Sequence, residues 1–317
     1  MKHILAAIIV LSLFSCHKAL DLDTLQFEVT PDRNKMTLGD TTRFSFTGNP
    51  DIITFWSGEI GRRYQYRNRV EADGTPILRF RSRKYHNQLN TLALLVSTDF
   101  AGVVGTDTVT TRANITSAHW DDITTRANIS NANGALASSG AISLSDYSGQ
   151  GKPVYIAFKY TGLAGYPLNR WEIDSFYVNN NLPDGTSYVI ANFNSYNAPY
   201  TNYGVTTFNP GFVFYPMTNN YYWFTGTVNS QAGIIFKTDN AGLTANCESW
   251  AFIGPINLRK VTPDIGVSIK AASQNMNDLR FTYKYPSVGT YDATFIGGKI
   301  NRDEKDYIVK PLQFIVQ

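Results

Sequence analysis

Histidine and cysteine are scarce in this chain, four and two among 317 residues, and that scarcity removes most metal and nucleophile chemistry at the outset. No HExxH, GxSxG, phosphate-binding loop or paired CxxC occurs. Charge of one sign is also lacking. Twenty-eight Lys and Arg face 25 Asp and Glu, a balance too even to steer nucleic acid over a distance, so nucleic acid is excluded as the expected partner. Long hydrophobic runs are missing too: the stretch Ile4 to Phe14 falls well short of the roughly 20 apolar residues that cross a bilayer. No long amphipathic helical pattern is present, and short helical turns are expected only at Asn128 to Ala137 and Asn240 to Cys247.

What the first residues do contain is a lipoprotein signal. Lys2 and His3 precede the apolar run, which ends in Leu13-Phe14-Ser15-Cys16. A basic start, a short apolar stretch and a small residue before a cysteine are what a signal peptidase reads when the cysteine is to carry lipid. Residues 1–15 are expected to be a signal peptide, Cys16 the lipidation site, and 16–24 a polar tether containing Asp21 and Asp23. An ordinary secretory signal would want a small residue in place of Leu13. The expected home is therefore the outer membrane or cell surface. There Cys247, left without an internal partner, reads as a small buried hydrophobe in the strand-like run CESWAFI.

Aromatic residues make up 14% of the chain, and 24 Gly and 13 Pro recur at short intervals, the profile of an all-β protein whose strands are punctuated by turns. LQFEV, TTRFSFTG and IITFW read as three strands of an Ig-like sandwich. Ten further runs from PILRFRS to CESWAFIGPINL read as a jelly-roll β-sandwich, and VSIKAAS, LRFTYKY, VGTYDATFIGGKI and YIVKPLQFIVQ as half a domain more. Two flanks too short to hold independent cores suggest one sandwich, residues 25–70 plus 262–317, interrupted by a jelly roll at 71–261; three domains in series are the alternative. In KPVYIAFKY, Val154, Ile156 and Phe158 are expected inside and Tyr155, Ala157 and Lys159 on the opposite face. Trp120, Trp171, Trp223 and Trp250 lie in or beside strands, where a core role is the plainer one.

The stretches TFWSGEIGRRYQYRNR, LLVSTDF, HWDDITTRA, SSGAISLSDYSGQGKPVYIAFKY, ESWAFIGPINL and PDIGVSIK together resemble a family of Bacteroidetes-type surface lipoproteins of unknown function. In that family a PKD-like portion accompanies a jelly roll of the choice-of-anchor or MAM-like group, and FTYKYPSVGTYDATFIG is similar to the closing half of a PKD-like sandwich. The resemblance implies association with starch-utilisation-system (Sus)-like glycan uptake machinery, with transporter components as partners. It brings no catalytic residues.

For chemistry, His86 and His119 read as solvated or packed side chains. Asp121, Asp122, Glu172, Asp174 and Glu248 could supply a paired-carboxylate glycoside hydrolase, yet turn bonds explain the first two, and alternation with Trp171 and Ile173 points the next two at solvent. No cofactor is expected, apart from a structural calcium for which Asp99, Asp107 and Asp146 are loop candidates. The richest ligand signal is the almost uncharged stretch Phe193 to Phe224. Its Tyr196, Tyr200, Tyr203, Tyr221, Tyr222 and Trp223, interleaved with Asn, match the apolar face and hydroxyl rim of a sugar ring. A second candidate is Trp56, Tyr64 and Tyr66 among arginines. The function expected is non-catalytic polysaccharide or oligosaccharide binding, as a surface accessory of a Sus-like uptake system anchored to the membrane by lipid. A structural or adhesive module is the alternative, and a glycoside hydrolase the lesser one.

Overall fold

The computed structural model describes residues 22–193, 211–219, 221, 223–236 and 243–317. It is an all-β protein: twenty strands, arranged in sandwich-like sheets, dominate the described residues. The chain divides into two compact units, Met1–Arg69 with Pro263–Gln317, and Val70–Thr262.

In the first unit a three-stranded sheet runs Phe27–Pro31, Thr42–Gly48, Phe281–Tyr283, and a five-stranded sheet runs Val267–Lys270, Ile52–Trp56, Gly289–Ile300, Lys305–Val316, Lys35–Met36. Alternation drives the assembly, because in a strand every second side chain points to one face. Thr42–Gly48 and Ile52–Trp56 each bury alternate residues. The rings so delivered pack closely: Phe295 lies 4.9 Å from Phe44 and 4.6 Å from Phe55 between centroids, with Phe314 also fully buried.

This unit is built from two distant segments, and a buried carboxylate ties them. Asp264 Oδ2 accepts from the Arg63 backbone N–H at 2.9 Å and from Arg63 Nε at 3.0 Å, while Arg69 Nη2 lies 3.9 Å from Oδ1. Both guanidiniums lie over the Tyr66 ring, 4.5 and 3.9 Å from its centroid. The Asp264 and Ile265 N–H groups donate to the Tyr66 and Gly61 carbonyls.

In the second unit a five-stranded sheet runs Phe212–Thr218, Cys247–Ile256, Val154–Gly162, Leu92–Ser97, Asp121–Asp122. The larger sheet runs Trp223–Val228, Gln231–Phe236, Arg170–Asn181, Thr75–Tyr85, Leu136–Ser138, with Ser187–Asn192 and Ile142–Ser143 paired at its side. Val154, Ile156 and Phe158 are fully buried between the sheets, where Phe158 meets Phe80 edge-on at 5.0 Å.

Two expectations need correction here. The opposite face of Val154–Gly162 is not left to solvent: Tyr155 and Ala157 are buried in a second apolar layer with Phe100, Ile115, Trp250 and Phe252. Ile115 comes from a helix, Thr108–Ser117, whose sequence TVTTRANITS is rich in β-branched residues and has no apolar stripe to announce it. Its start is fixed by Asp107, which accepts from the Thr110 N–H at 2.9 Å and hydroxyl at 2.7 Å. The helical turn expected over Asn128 to Ala137 is instead a loop entering the Leu136–Ser138 strand, and the described part of Asn240 to Cys247 is not helical. The aromatic stretch after Phe193 also contains a strand, Phe212–Thr218, with Phe212 fully buried.

Asp264→Ala should lower the unfolding free energy by about 3 kcal/mol, read as a shifted urea midpoint, because two guanidiniums lose the carboxylate that neutralises them. Cys247 is buried, and loss of solvation pushes its thiol up to about 11. At pH 8 a thiol reagent should leave the Cys247 peptide unmodified in native protein and modify it fully in urea, as read by peptide mass spectrometry.

Candidate functional site

The outward face of the five-stranded sheet of the second unit carries an open cleft, and strand register explains its contents. Consecutive strand residues point to opposite faces, so the two acids of WDDIT part company. Asp121 sits opposite Val96, on the inner side, where its Oδ1 lies 3.0 Å from His119 Nε2. Asp122 sits opposite Leu95 and points outward, in one cross-strand row with Leu95, Ala157 and Phe252. The next row is Ala93, Lys159, Trp250. Ala93 and Ala118 are too small to fill the space between the larger side chains, and a hollow of about 480 Å³ remains, bounded by Trp120, Asp122, Lys159, Met217, Glu248 and Trp250.

Trp120 gives the hollow its accessible aromatic surface and is backed by Trp250, which is itself buried; their centroids lie 5.1 Å apart with planes inclined at 51°. Trp120 is held by Nε1 donating to the Ile115 carbonyl at 3.1 Å, at the end of the helix, and keeps part of its surface open. Trp250 Nε1 donates to Glu248 Oε1 at 2.8 Å. Lys159 Nζ lies 3.0 Å from Glu248 Oε2 and 5.1 Å from the Trp250 ring centroid. An apolar ring surface bordered by hydrogen-bonding groups can hold a pyranose by stacking and directional polar contacts. Its two acids, Asp122 and Glu248, stand on strands three steps apart in the sheet.

The residues singled out from the sequence are placed differently. Tyr196, Tyr200, Tyr203 and Tyr222, like Cys16, lie outside the described residues. Tyr221 is partly exposed and borders a separate hollow with Asn219 and Leu243. Trp223 is fully buried between the sheets, with Nε1 directed at the Ser249 carbonyl, and offers no face to a ligand. In the first unit Trp56 meets Tyr64 edge-on at 5.2 Å, Arg67 covers Tyr64 at 3.9 Å, and Tyr66 lies beneath Arg63 and Arg69. The Tyr64 and Tyr66 faces are taken by the protein's own guanidiniums and Trp56 lies edge-on to Tyr64, so the cluster forms a clasp.

The carboxylates also have occupations of their own. Glu172 and Asp174 do not face solvent: both are buried, Glu172 against Arg170 at 2.5 Å, and Asp174 against Arg81 at 2.5 Å and Asn229 Nδ2 at 2.8 Å. Asp99 accepts from the Ser97 hydroxyl and the His119 N–H. Asp107 caps the helix, and its bonds to Thr110 hold its carboxyl below the usual range. Asp146 pairs with Arg126 at 2.7 Å, which lowers its carboxyl likewise. The three calcium candidates therefore serve separate local roles, and no group of three or more His, Cys, Asp or Glu side chains converges among the described residues.

The core role expected of Trp250 holds, since it is buried in the second apolar layer with Trp120 packed half-buried against it; the sequence did not reveal that both border one hollow with Lys159. The available signal was the pairing of Glu248 with Trp250 and of Lys159 with Thr161, each two residues apart and hence on one face of its strand.

Fold and cleft define an all-β protein of two sandwich-like units, one bearing an aromatic hollow on a sheet face. The chain belongs to the family described as Domain of unknown function (DUF5017), whose model matches residues 15–198, more than half of the chain. That match includes Ala93, Trp120, Asp122 and Lys159 and stops before Glu248 and Trp250. No curated protein and no solved structure matches the chain. No helix among the described residues is long and apolar enough to cross a membrane.

Proposed function

We propose that this is a lipid-anchored cell-surface protein that retains polysaccharide without cleaving it, as an accessory to a Sus-like glycan uptake system, and that the sugar is held in the Trp120–Trp250 cleft. The observation that carries the reading is the cleft itself: the half-open Trp120 indole, backed by the buried Trp250, beside a carboxylate and an ammonium group on a sheet face, in a space wide enough for a sugar ring. The signal-like start ending at Cys16 supports the location. The mechanism is retention. Individual contacts are weak, but anchored copies acting on a repetitive polymer raise its effective concentration at the membrane. Such binding needs neither a cofactor nor a paired acid and base.

Purified protein screened against soluble polysaccharides by affinity electrophoresis should bind at least one. Trp120→Ala should weaken that binding by about tenfold, equivalent to roughly 1.4 kcal/mol. Ala93→Leu, which fills the hollow without removing any contact, should do the same while the melting temperature stays near that of the parent. Retention by none of the polysaccharides would favour the structural or adhesive alternative. For the anchor, Cys16→Ser should abolish incorporation of labelled fatty acid and release the protein from the membrane fraction; unchanged labelling would refute lipidation at Cys16.

A further inference from the structure

The charges around the cleft are unequally satisfied, and this inequality bears on which glycans would enter. Lys159, the one cation in its lining, is already committed: Glu248 Oε2 lies 3.0 Å from its ammonium, which also rests over Trp250. Glu248 is equally engaged, because its second oxygen accepts from Trp250 Nε1 at 2.8 Å. Together the pair presents no net charge to an incoming ring. Arg112, on the neighbouring helix, turns its guanidinium onto the Met217 carbonyl and is not part of the lining. Asp122 stands apart. It is exposed on the opposite wall, one of its oxygens accepts the Thr124 N–H at 2.9 Å, and no cation pairs with it among the described residues.

An exposed carboxylate without an ion-pair partner acts by repulsion as well as attraction. Its remaining lone pairs can accept hydrogen bonds from sugar hydroxyls, whereas a carboxylate or sulfate brought within a few ångströms of it meets a like charge that no ion pair offsets. We infer that the cleft selects neutral glycan chains over uronate- or sulfate-bearing ones, and that Asp122 is the residue that sets this preference. The inference rests on the glycan-retention reading above and adds to it a substrate class and a specificity determinant.

The test pairs each of three neutral polymers, laminarin, amylopectin and galactomannan, with its own carboxymethyl derivative, and measures binding to the full chain at low ionic strength. At least one neutral polymer should bind, with its carboxymethyl form about tenfold weaker, the size expected of one unscreened charge at close range. The ratio should shrink as salt is raised, since screening acts on the repulsion and not on ring stacking. Asp122→Asn should bring the ratio towards one and Asp122→Glu should preserve it, a pattern that simple damage to the cleft would not produce. Equal binding of the neutral and carboxymethyl forms by the parent, or an unchanged ratio in Asp122→Asn, overturns the selectivity while leaving glycan retention standing. Failure of all three neutral polymers to bind defeats the retention reading and this inference with it.

Discussion

The first unit depends on bringing together two chain segments that about 190 residues separate, a closure costing roughly 5 kcal/mol on a (3/2)RT ln n scale. Its geometry meets that cost in two ways. Strand pairing crosses between the segments, since Ile52–Trp56 lies hydrogen-bonded between Val267–Lys270 and Gly289–Ile300, and the phenylalanine layer beneath is contributed by both. At the point where the chain leaves and returns, Asp264 fixes the register of the junction by accepting from Arg63 in two places. A buried carboxylate is tolerable there because two guanidiniums lie beside it, each also over the Tyr66 ring.

Much of the strand inventory was legible from alternation, because a strand with one buried face writes that face into every second residue. Thr42–Gly48 and Ile52–Trp56 illustrate it. Legibility failed where a second layer intervened. Val154–Gly162 is buried on both sides, so its sequence VYIAFKYTG carries nearly continuous apolar character, and alternation no longer distinguishes inside from outside. The helix that causes this was hidden as well: it buries only Thr111 and Ile115, and its threonines carry strand-like propensity, so capping and docking onto a sheet decide its conformation instead.

The site was less legible than the fold for a different reason. Each of its residues was visible in the sequence, and several were weighed, but as members of separate runs. What makes Ala93, Lys159 and Trp250 neighbours is the register of three strands far apart along the chain. What makes a hollow there is the absence of bulk at Ala93 and Ala118, which only spatial neighbours can reveal. The crowded tyrosines after Phe193 were conspicuous by composition, whereas the cleft draws on two tryptophans that composition alone assigns to a core.

A sheet packed on both faces is also stiff, and that matters for how the hollow could diversify. The base of the cleft is a continuation of the apolar layer formed by Ala157 and Phe252, so it cannot yield to a new guest without disturbing the packing beneath it. Side chains at the rim, such as Thr116 and Thr161, carry no such burden. Exchanging such rim residues would therefore alter the lining of the hollow and leave its foundation unchanged.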